Sequence, residues 1–328
     1  NLAESAEATV AALQTVLDGC PGATVLPALR RGNVVGALSV GLAPADADHD
    51  GLATLRAAAE GRLELLVLLG ADPLNDCPDA DLARRAIAGA RRVLAIDTFP
   101  SESTQHADVV LTASAYGEKA GTTTNLEGRV TTLAQQVTAT GTSRPDWMIA
   151  VELGLMIGAH SFGADHPLRG VSTVDDVTAL VAATVPGFAA VTLDALRDEP
   201  NGVLSAPHQA ALGEVSFSAP GRNSYDYRLV VSRKLYDRAV GTQMSRSLIN
   251  LAPGSAVHVH PLDLDSLGVS DGDDVKIVSA KAASVLPIAA NNRVPRGVVW
   301  SPFNQGGGTI EDIVDGGAAT TDVRIERL

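Results

Sequence analysis

The stretch that decides the fold is "LELLVLLGADPLNDCPDADLARRAIAGARRVLAID", residues 63–97. It begins with a continuous apolar run of the kind found in strands that are buried on both faces of a parallel sheet. A helical pattern with acidic residues in its first turn follows, and a second apolar run ends the stretch. Strand, helix and strand in this order predict a βαβ unit, in which a crossover helix joins two parallel strands.

The same alternation continues on both sides of this unit. Apolar residues at helical spacing over 10–17 predict a helix that ends at Gly19, and "ATVLP" (23–27) after it predicts a strand. Asp50 is placed to cap a helix over 51–61, and "ADVVLTAS" (107–114) predicts a further strand. The sequence therefore predicts an α/β domain with a parallel, Rossmann-like sheet covered by helices.

A hairpin is predicted in "GEKAGTTTNLEGRV", residues 117–130. The threonines at 122–124 and the residues after Arg129 favour extended backbone, and Asn125 and Gly128 between them tolerate positive φ. Four charged side chains crowd around this turn, namely Glu118, Lys119, Glu127 and Arg129. They are typical of a solvated face or, as the alternative, of a binding loop.

Two helices are predicted beyond the hairpin, over 143–160 and 172–187. The second has the pattern of a capping box formed by Ser172 and Asp175, and Pro186 marks its end. Regular patterns then disappear over 200–224, which is rich in proline and glycine and predicts a linker.

The pattern of apolar and turn residues changes after this linker. Short apolar strands separated by turn residues predict a small β-barrel over 225–328, with one helix over 261–268 that begins at Pro261 and ends at Gly268. The predicted barrel strands are "YRLVVS", "AVHVHP", "DDVKIVS", "SVLPIAA" and "GVVWSP". The predicted domains are thus 1–199 and 225–328, since 328 residues exceed what one hydrophobic core usually serves.

Composition excludes several classes of function. A net charge of −13 and an aromatic content of 3 % argue against nucleic acid and anionic membrane surfaces as partners. No apolar run is long enough to cross a bilayer. Cys20 and Cys77 form no CxxC pair, so they predict neither a disulfide framework nor a zinc or iron–sulfur site. The start lacks both a signal peptide and an initiator methionine, so we expect the chain to be part of a longer protein.

Ligands of open parallel sheets collect outside the carboxyl ends of the strands. The segments expected there are "GADPLND" (70–76) and "DTFPSEST" (97–104). Gly70 would let a ligand approach the backbone, and Asp72 and Asp97 could accept hydrogen bonds. No GxGxxG motif accompanies them, and a plain tight turn at Gly70 is the alternative.

No metal or catalytic site is predicted. "DADHDG" (46–51) imitates the start of a calcium loop, but Ala57 stands where the bidentate glutamate belongs, so helix capping is the better interpretation. His258 and His260 alternate along a strand, which predicts a shared face, yet no third ligand stands at a suitable spacing. The sequence contains no nucleophile elbow, P-loop or HExxH motif.

Taken in order, three segments resemble the molybdopterin oxidoreductase family over most of the chain. They are "GADPLND" (70–76), "VLAIDTFPSESTQHADVVLTASAYGEKAGTTTNLEGRV" (93–130) and "VHPLDLDSLGVSDGDDVKIVS" (259–279). Within the family, "RRGNVVGALSVGLAP" (30–44) and "SRKLYDRAVGTQMSRSLINLAP" (232–253) resemble the G-type large subunit of bacterial NADH-quinone oxidoreductase, the respiratory complex I.

This resemblance implies a scaffold that generally works without molybdenum. The chain would be the carboxyl half of the large subunit and bind no cofactor itself, with the iron–sulfur clusters in the amino half. Its partners would be the other subunits of the hydrophilic arm, on the cytoplasmic side of the plasma membrane, while NADH and quinone act elsewhere in a complex that pumps protons. No direct insertion into the membrane is expected.

The residues of a vestigial cofactor cleft also follow from the resemblance. They are Gly70, Asp72, Asp97, Gly121, Thr122, Asn125, Arg129 and Asn304. The alternative is a catalytic molybdenum oxidoreductase of the formate dehydrogenase or nitrate reductase type. There, the loops at Gly70, Asp97 and Asn304 would bind two pterin dinucleotides, and the metal-ligating cysteine, selenocysteine or serine would lie outside this chain. A free-standing binding module is a third interpretation.

Overall fold

The computed structural model describes residues 6–26, 32–44, 46, 49–206, 221, 225–306, 310–316, 318 and 320–328. Within them the α-helices are α1 (Ala6–Gly19), α2 (Val34–Ser39), α3 (Gly51–Ala59), α4 (Pro73–Asp76), α5 (Ala80–Gly89), α6 (Glu102–Gln105), α7 (Asp146–Phe162), α8 (Val174–Thr184), α9 (Leu193–Asp198), α10 (Val240–Gln243) and α11 (Pro261–Leu267). The strands are β1 (Leu66–Leu69), β2 (Val93–Asp97), β3 (Val109–Thr112), β4 (Gly121–Thr124), β5 (Arg129–Leu133), β6 (Val203–Leu204), β7 (Tyr227–Arg233), β8 (Val257–Val259), β9 (Asp274–Ser279), β10 (Ala283–Ala290), β11 (Val298–Phe303) and β12 (Thr321–Arg327).

The first part of the chain is built on a parallel sheet of order β1-β2-β3, which confirms the predicted βαβ unit. Alternate residues of β1 and β2, such as Leu68 and Ala95, are buried on one face. They pack against Ala58 of α3 and Ala86 of α5, so the two helices cover that face together. Asp50 accepts a hydrogen bond from the Ala53 N–H at 2.7 Å and caps α3 as predicted.

Two expectations for this sheet are wrong. Residues 23–26 form no strand, and Pro27 lies outside the described residues; β-branched residues alone do not make a strand where no neighbouring strand pairs with them. The run 63–69 is not buried on both faces, because Leu65, Val67 and Leu69 are exposed. Helix α7 covers the second face only around Ile96.

The predicted hairpin is present as antiparallel β4 and β5, and β6 joins it as a third strand. Gly128 has the expected positive φ of 83°. Asn125, however, keeps a negative φ. Its side-chain oxygen instead accepts hydrogen bonds from the N–H groups of Glu127 and Arg129, both at 2.9 Å, and closes the turn in that way.

Helices α7 and α8 confirm the two helices predicted after the hairpin, with one shift in register. The capping box of α8 is formed by Thr173 and Asp176, not by Ser172 and Asp175. The strand β6 begins inside the predicted linker 200–224, of which residues 207–220 and 222–224 lie outside the described part. The domain division itself stays a prediction.

The second part is a closed barrel, which confirms the predicted β-barrel, and its strand order is β10-β8-β11-β7-β12-β9. Its interior is filled by fully buried aliphatic side chains, among them Val257, Ile277 and Leu286. Helix α11 runs from Pro261 and ends at Gly268 with a φ of 66°. Strand β12 was not predicted, yet it closes the barrel by pairing with both β7 and β9. In the described part of the chain, no helix has the length and apolar character needed to span a membrane.

Candidate functional site

Gly70 and Asp72 follow β1 at the carboxyl edge of the sheet. Gly70 has a φ of 56°, and a Cβ built there would find no atom within 4 Å, so its backbone is open to approach. The buried Asp72 carboxylate accepts hydrogen bonds from the Ser103 hydroxyl at 2.6 Å and from the Asn75 amide at 2.7 Å. Asp72 therefore fastens the loop after β1 to the loop after β2.

Asp97 ends β2 and is half-buried. Its carboxylate accepts the Thr98 N–H at 2.7 Å and the Phe99 N–H at 3.4 Å, so it stabilises its own turn. Like Asp72, it makes structural hydrogen bonds within the chain. Both predicted acceptors follow their strands, and both oxygens of Asp72 and the Oδ1 of Asp97 accept hydrogen bonds within the chain.

Arg233, at the end of β7, connects these loops to the barrel. Its guanidinium group forms ion pairs with Asp76, in the loop after β1, and with Asp237 at 2.6 Å. It also lies 4.8 Å from the centre of the Phe303 ring. Arg233 was not among the predicted site residues, and the adjacent basic pair in "SRK" is a weak signal because such pairs are usually solvated.

Asn304 follows Phe303 and has a left-handed φ of 53°. Its N–H donates to the Glu311 carboxylate, and its carbonyl accepts the Arg238 N–H at 2.8 Å. Burial raises the pKa of the Glu311 carboxyl, and the bond from the Asn304 N–H offsets part of this rise. The Asn304 Nδ2 is buried and has no hydrogen-bond partner among the described residues. Such a donor is costly unless a ligand or water accepts from it.

Two further ion pairs hold α5 against the barrel. Lys281 pairs with Asp79, the N-cap residue of α5, and Arg84 pairs with Asp312 at 2.7 Å. Burial would raise the pKa of Asp79, but the ammonium group of Lys281 and the Leu82 N–H together lower it below its usual value. These contacts fix α5 relative to the barrel.

The hairpin residues have other neighbours. Gly121 and Thr122 lie in β4, and Asn125 closes the turn. The Arg129 guanidinium donates to the Gly202 carbonyl at 3.2 Å and pairs with Glu127 at 3.3 Å. In the described part of the chain, no hydrogen bond or ion pair joins these residues to the strand-end loops.

The other charges around the hairpin are engaged too. Glu118 accepts hydrogen bonds from the Ala115 N–H at 2.9 Å and the Thr140 hydroxyl at 3.1 Å. Lys119 pairs with Asp146 of α7 at 2.7 Å. The structure thus links the segment of Gly70 and Asp72 to the barrel strand that ends beside Asn304, through the ion pair between Asp76 and Arg233. Asp97 bonds within its own turn, and the hairpin set of Gly121, Thr122, Asn125 and Arg129 lies in or beside a separate sheet.

The two histidines do not act as a pair. His258 lies against Trp300, with ring centres 4.7 Å apart, whereas His260 lies beyond the end of β8 and accepts the Leu262 N–H at the start of α11. The described residues contain no group of three or more His, Cys, Asp or Glu side chains that could hold a metal ion. Two positions of the calcium-like stretch 46–51, numbers 47 and 48, lie outside the described residues.

The fit of a pterin dinucleotide can be tested against these residues. The open backbone at Gly70 and the unpaired amide of Asn304 suit a flat heterocycle that carries acceptor atoms. The charges suit its phosphates less well, because two carboxylates already compensate Arg233. The guanidinium of Arg238 packs so closely against Gly306 that a Cβ there would clash with it. The described residues therefore offer a heterocycle an open turn and one unpaired donor, and their charges suit its phosphates less well.

Comparisons with known proteins agree on the fold. A family model described as molybdopterin oxidoreductase matches residues 4–155, and one described as molydopterin dinucleotide binding domain matches residues 227–323. In a search of solved structures, acetylene hydratase from Pelobacter acetylenicus matches with a TM-score of 0.64 and 14 % identity, over 84 % of this chain and 46 % of that one.

Curated relatives carry several different activities in their names. NADPH-Fe(3+) oxidoreductase subunit alpha of Geobacter sulfurreducens is 27 % identical over 87 % of this chain and 32 % of its own length. The second G-type subunit of NADH-quinone oxidoreductase from Rhizobium meliloti is 28 % identical over 80 % of this chain and 30 % of its own length. F420-dependent formate dehydrogenase 1 subunit alpha of Methanococcus maripaludis is 23 % identical over 87 % of this chain and 48 % of its own length. The chain thus spans about a third of the first two relatives and about half of the third.

Proposed function

Since the chain belongs to the molybdopterin oxidoreductase family, we propose that it is the scaffold portion of the G-type large subunit of an NADH-quinone oxidoreductase, with no redox group of its own. In this proposal the iron–sulfur clusters lie in a preceding part of the same polypeptide. The chain supports electron transfer from NADH to quinone by packing against the other subunits of a peripheral arm on the cytoplasmic side of the membrane. Proton translocation takes place elsewhere in the assembly.

One observation carries this proposal: the acids at the strand ends make structural bonds within the chain. Asp72 accepts a hydrogen bond from Ser103 in the loop after β2, Asp97 accepts from its own turn, and Asp76 is paired with Arg233. A ligand that takes the place of one of these partners must first break the bond that the carboxylate already accepts. These loops are therefore better suited to hold the sheet and the barrel together than to exchange a ligand.

The metal content of the full-length protein tests this proposal. We expect the purified subunit, produced in cells that load molybdenum into a co-expressed formate dehydrogenase, to contain far less than one molybdenum and one pterin per chain. Metal analysis and pterin fluorescence after oxidation measure both quantities. Molybdenum and pterin in stoichiometric amounts would show that the scaffold proposal is wrong, and the loaded dehydrogenase controls for cofactor supply.

The unpaired amide of Asn304 favours a second candidate, a catalytic molybdenum bis-pterin oxidoreductase of the formate dehydrogenase or nitrate reductase type. The cofactor would supply the oxidation–reduction chemistry. Gly70 would allow its close approach, and the Asn304 amide would donate to an acceptor of the heterocycle. Under this candidate, Asn304→Gly, which keeps the left-handed backbone, should lower the pterin content about tenfold. Under the scaffold proposal there is no pterin to lose.

A further inference from the structure

A pocket of about 200 Å³ lies on the hairpin side of the first part of the chain. Its walls come from α2, the hairpin strands β4 and β5, helix α8 and the turn Pro186–Phe188. None of the strand-end residues or the barrel residues described above belongs to its lining. The pocket thus shares no lining residue with the contacts that Arg233 makes between the first part of the chain and the barrel.

The pocket exists because one end of α2 is held tightly against β4. Asn33, with a left-handed φ of 60°, accepts the Thr124 N–H at 2.8 Å. A Cβ on Gly36 would clash with the Asn33 Oδ1 and lie 2.8 Å from the Thr124 Oγ1, so only glycine permits this approach. On the opposite side, Phe188 and Val191 pack with Val130 into a small core. The pocket is the space left between these two fixed walls.

The described walls are uncharged and mainly apolar, and their polar side chains are those of Asn33, Thr122, Thr124 and Thr178. Val177 and Val181 of α8 line the pocket together with Phe188, and Val181 packs against the small core that contains Phe188. Among the described residues, no Asp, Glu, Lys, Arg or His lines it. The Thr178 hydroxyl donates to the Val174 carbonyl at 2.9 Å and is thereby engaged. The hydroxyl of Thr124 is different. Thr124 is only 3 % exposed, it lines the pocket, and among the described residues its hydroxyl has no hydrogen-bond partner.

We propose that this pocket binds a neutral, compact and mainly apolar molecule that carries one hydroxyl or carbonyl group. An ion is disfavoured because nothing in the lining would compensate its loss of hydration. The volume is of the size that holds one benzene-like ring, since an apolar cavity of about 150 Å³ binds benzene. Such a ring would lie against Phe188, and its polar group would satisfy the Thr124 hydroxyl.

Phenol and toluene, which differ by a hydroxyl in place of a methyl group, are the probes that test this proposal. We expect saturable binding of both to the full-length protein, measured by calorimetry and by ligand-observed NMR, with phenol bound more tightly. Thr124→Val keeps the β-branched shape and removes the hydroxyl. It should weaken phenol binding about three- to tenfold and leave toluene binding within about twofold of the wild type. Retained toluene binding also shows that the variant is folded.

A variant with a larger side chain that fills the pocket, called the filling variant, provides a second test. Ala37→Leu in α2, or Val181→Phe in α8 if the first variant does not fold, should abolish the binding of both probes. The proposal is overturned if neither probe binds the wild type saturably, if Thr124→Val weakens both probes equally, or if a folded filling variant binds them as before. These outcomes do not depend on molybdenum content, so they are separate from the test of the scaffold function.

Discussion

Arg233 shows how one side chain can join two parts of this chain. Its side chain is 24 % exposed, and its partner Asp237 is 9 % exposed, so this ion pair is largely shielded from water. Asp76 approaches from the loop after β1, and the Phe303 ring lies against the guanidinium group. Removal of one partner from a shielded ion pair leaves an uncompensated charge, which costs more than the pair itself contributes.

We therefore expect Arg233→Met to lower the free energy of unfolding by about 2 to 3 kcal/mol, measured by urea titration. The matched control is Arg197→Met. Arg197 also contacts two carboxylates, Asp175 and Asp194, but all three side chains are well exposed. Its loss should change the free energy of unfolding by less than about 0.5 kcal/mol. Equal effects of the two substitutions would show that Arg233 is only a surface residue.

At the scale of one element, the start of α8 allows a sharp test. Thr173 accepts the Asp176 N–H at 3.1 Å, and Asp176 accepts the Thr173 N–H at 2.8 Å. Thr173→Ala should destabilise the chain by about 1 kcal/mol because an N–H of the first helical turn loses its acceptor. Asp175→Ala, one residue before the true partner, should cost less than about 0.5 kcal/mol. Urea unfolding of both variants measures the difference. A larger loss of stability in Asp175→Ala than in Thr173→Ala would support the capping box of Ser172 and Asp175 that the sequence predicts.

The same capping box predicts a pH dependence. Hydrogen bonds from the Ser172 N–H and the Thr173 hydroxyl and N–H lower the pKa of Asp176 from 3.8 to about 2. A carboxyl whose pKa is lowered by folding contributes stability that is complete above the unfolded pKa and is lost as the pH falls through the folded one. The stability difference between wild type and Asp176→Asn should therefore shrink between about pH 4 and about pH 2. A difference that stays constant in this range would contradict the assignment.

Local signals explain which elements the sequence could predict. The βαβ unit and α11 follow from apolar runs and from stop residues such as Gly268, which act within a few residues. The predicted capping box was wrong by one residue because Ser172 with Asp175 and Thr173 with Asp176 fit the same spacing. Arg233 could not be predicted as an interface residue, since its partner Asp76 is 157 residues away in the sequence. Asn304 was identified only through a family resemblance, and its unpaired amide is visible only in three dimensions.

At the level of the whole molecule, the second face of the parallel sheet exposes apolar side chains that the described part of the chain does not cover. Neighbouring residues of the three strands form an apolar row on this face, Val67, Leu94 and Val109. Val67 is 48 % exposed and Val109 is 51 % exposed, because α7 covers only the end of the sheet near Ile96. Parallel sheets are normally covered on both faces. Because the chain spans only about a third of the first relatives, we expect other polypeptide to cover this row in the full-length protein.

Val67→Lys should then have opposite effects in two contexts. In the isolated chain it should reduce the binding of a hydrophobic dye and slow aggregation, because a charge interrupts an exposed apolar row. In the full-length protein it should lower the free energy of unfolding by at least about 2 kcal/mol, because the ammonium group would be buried under the covering segment. Val285→Lys on the barrel is the control: Val285 is 49 % exposed, and we expect little effect on stability in either context. A substitution at Val67 that is equally harmless in both contexts would mean that this face of the sheet stays open to water.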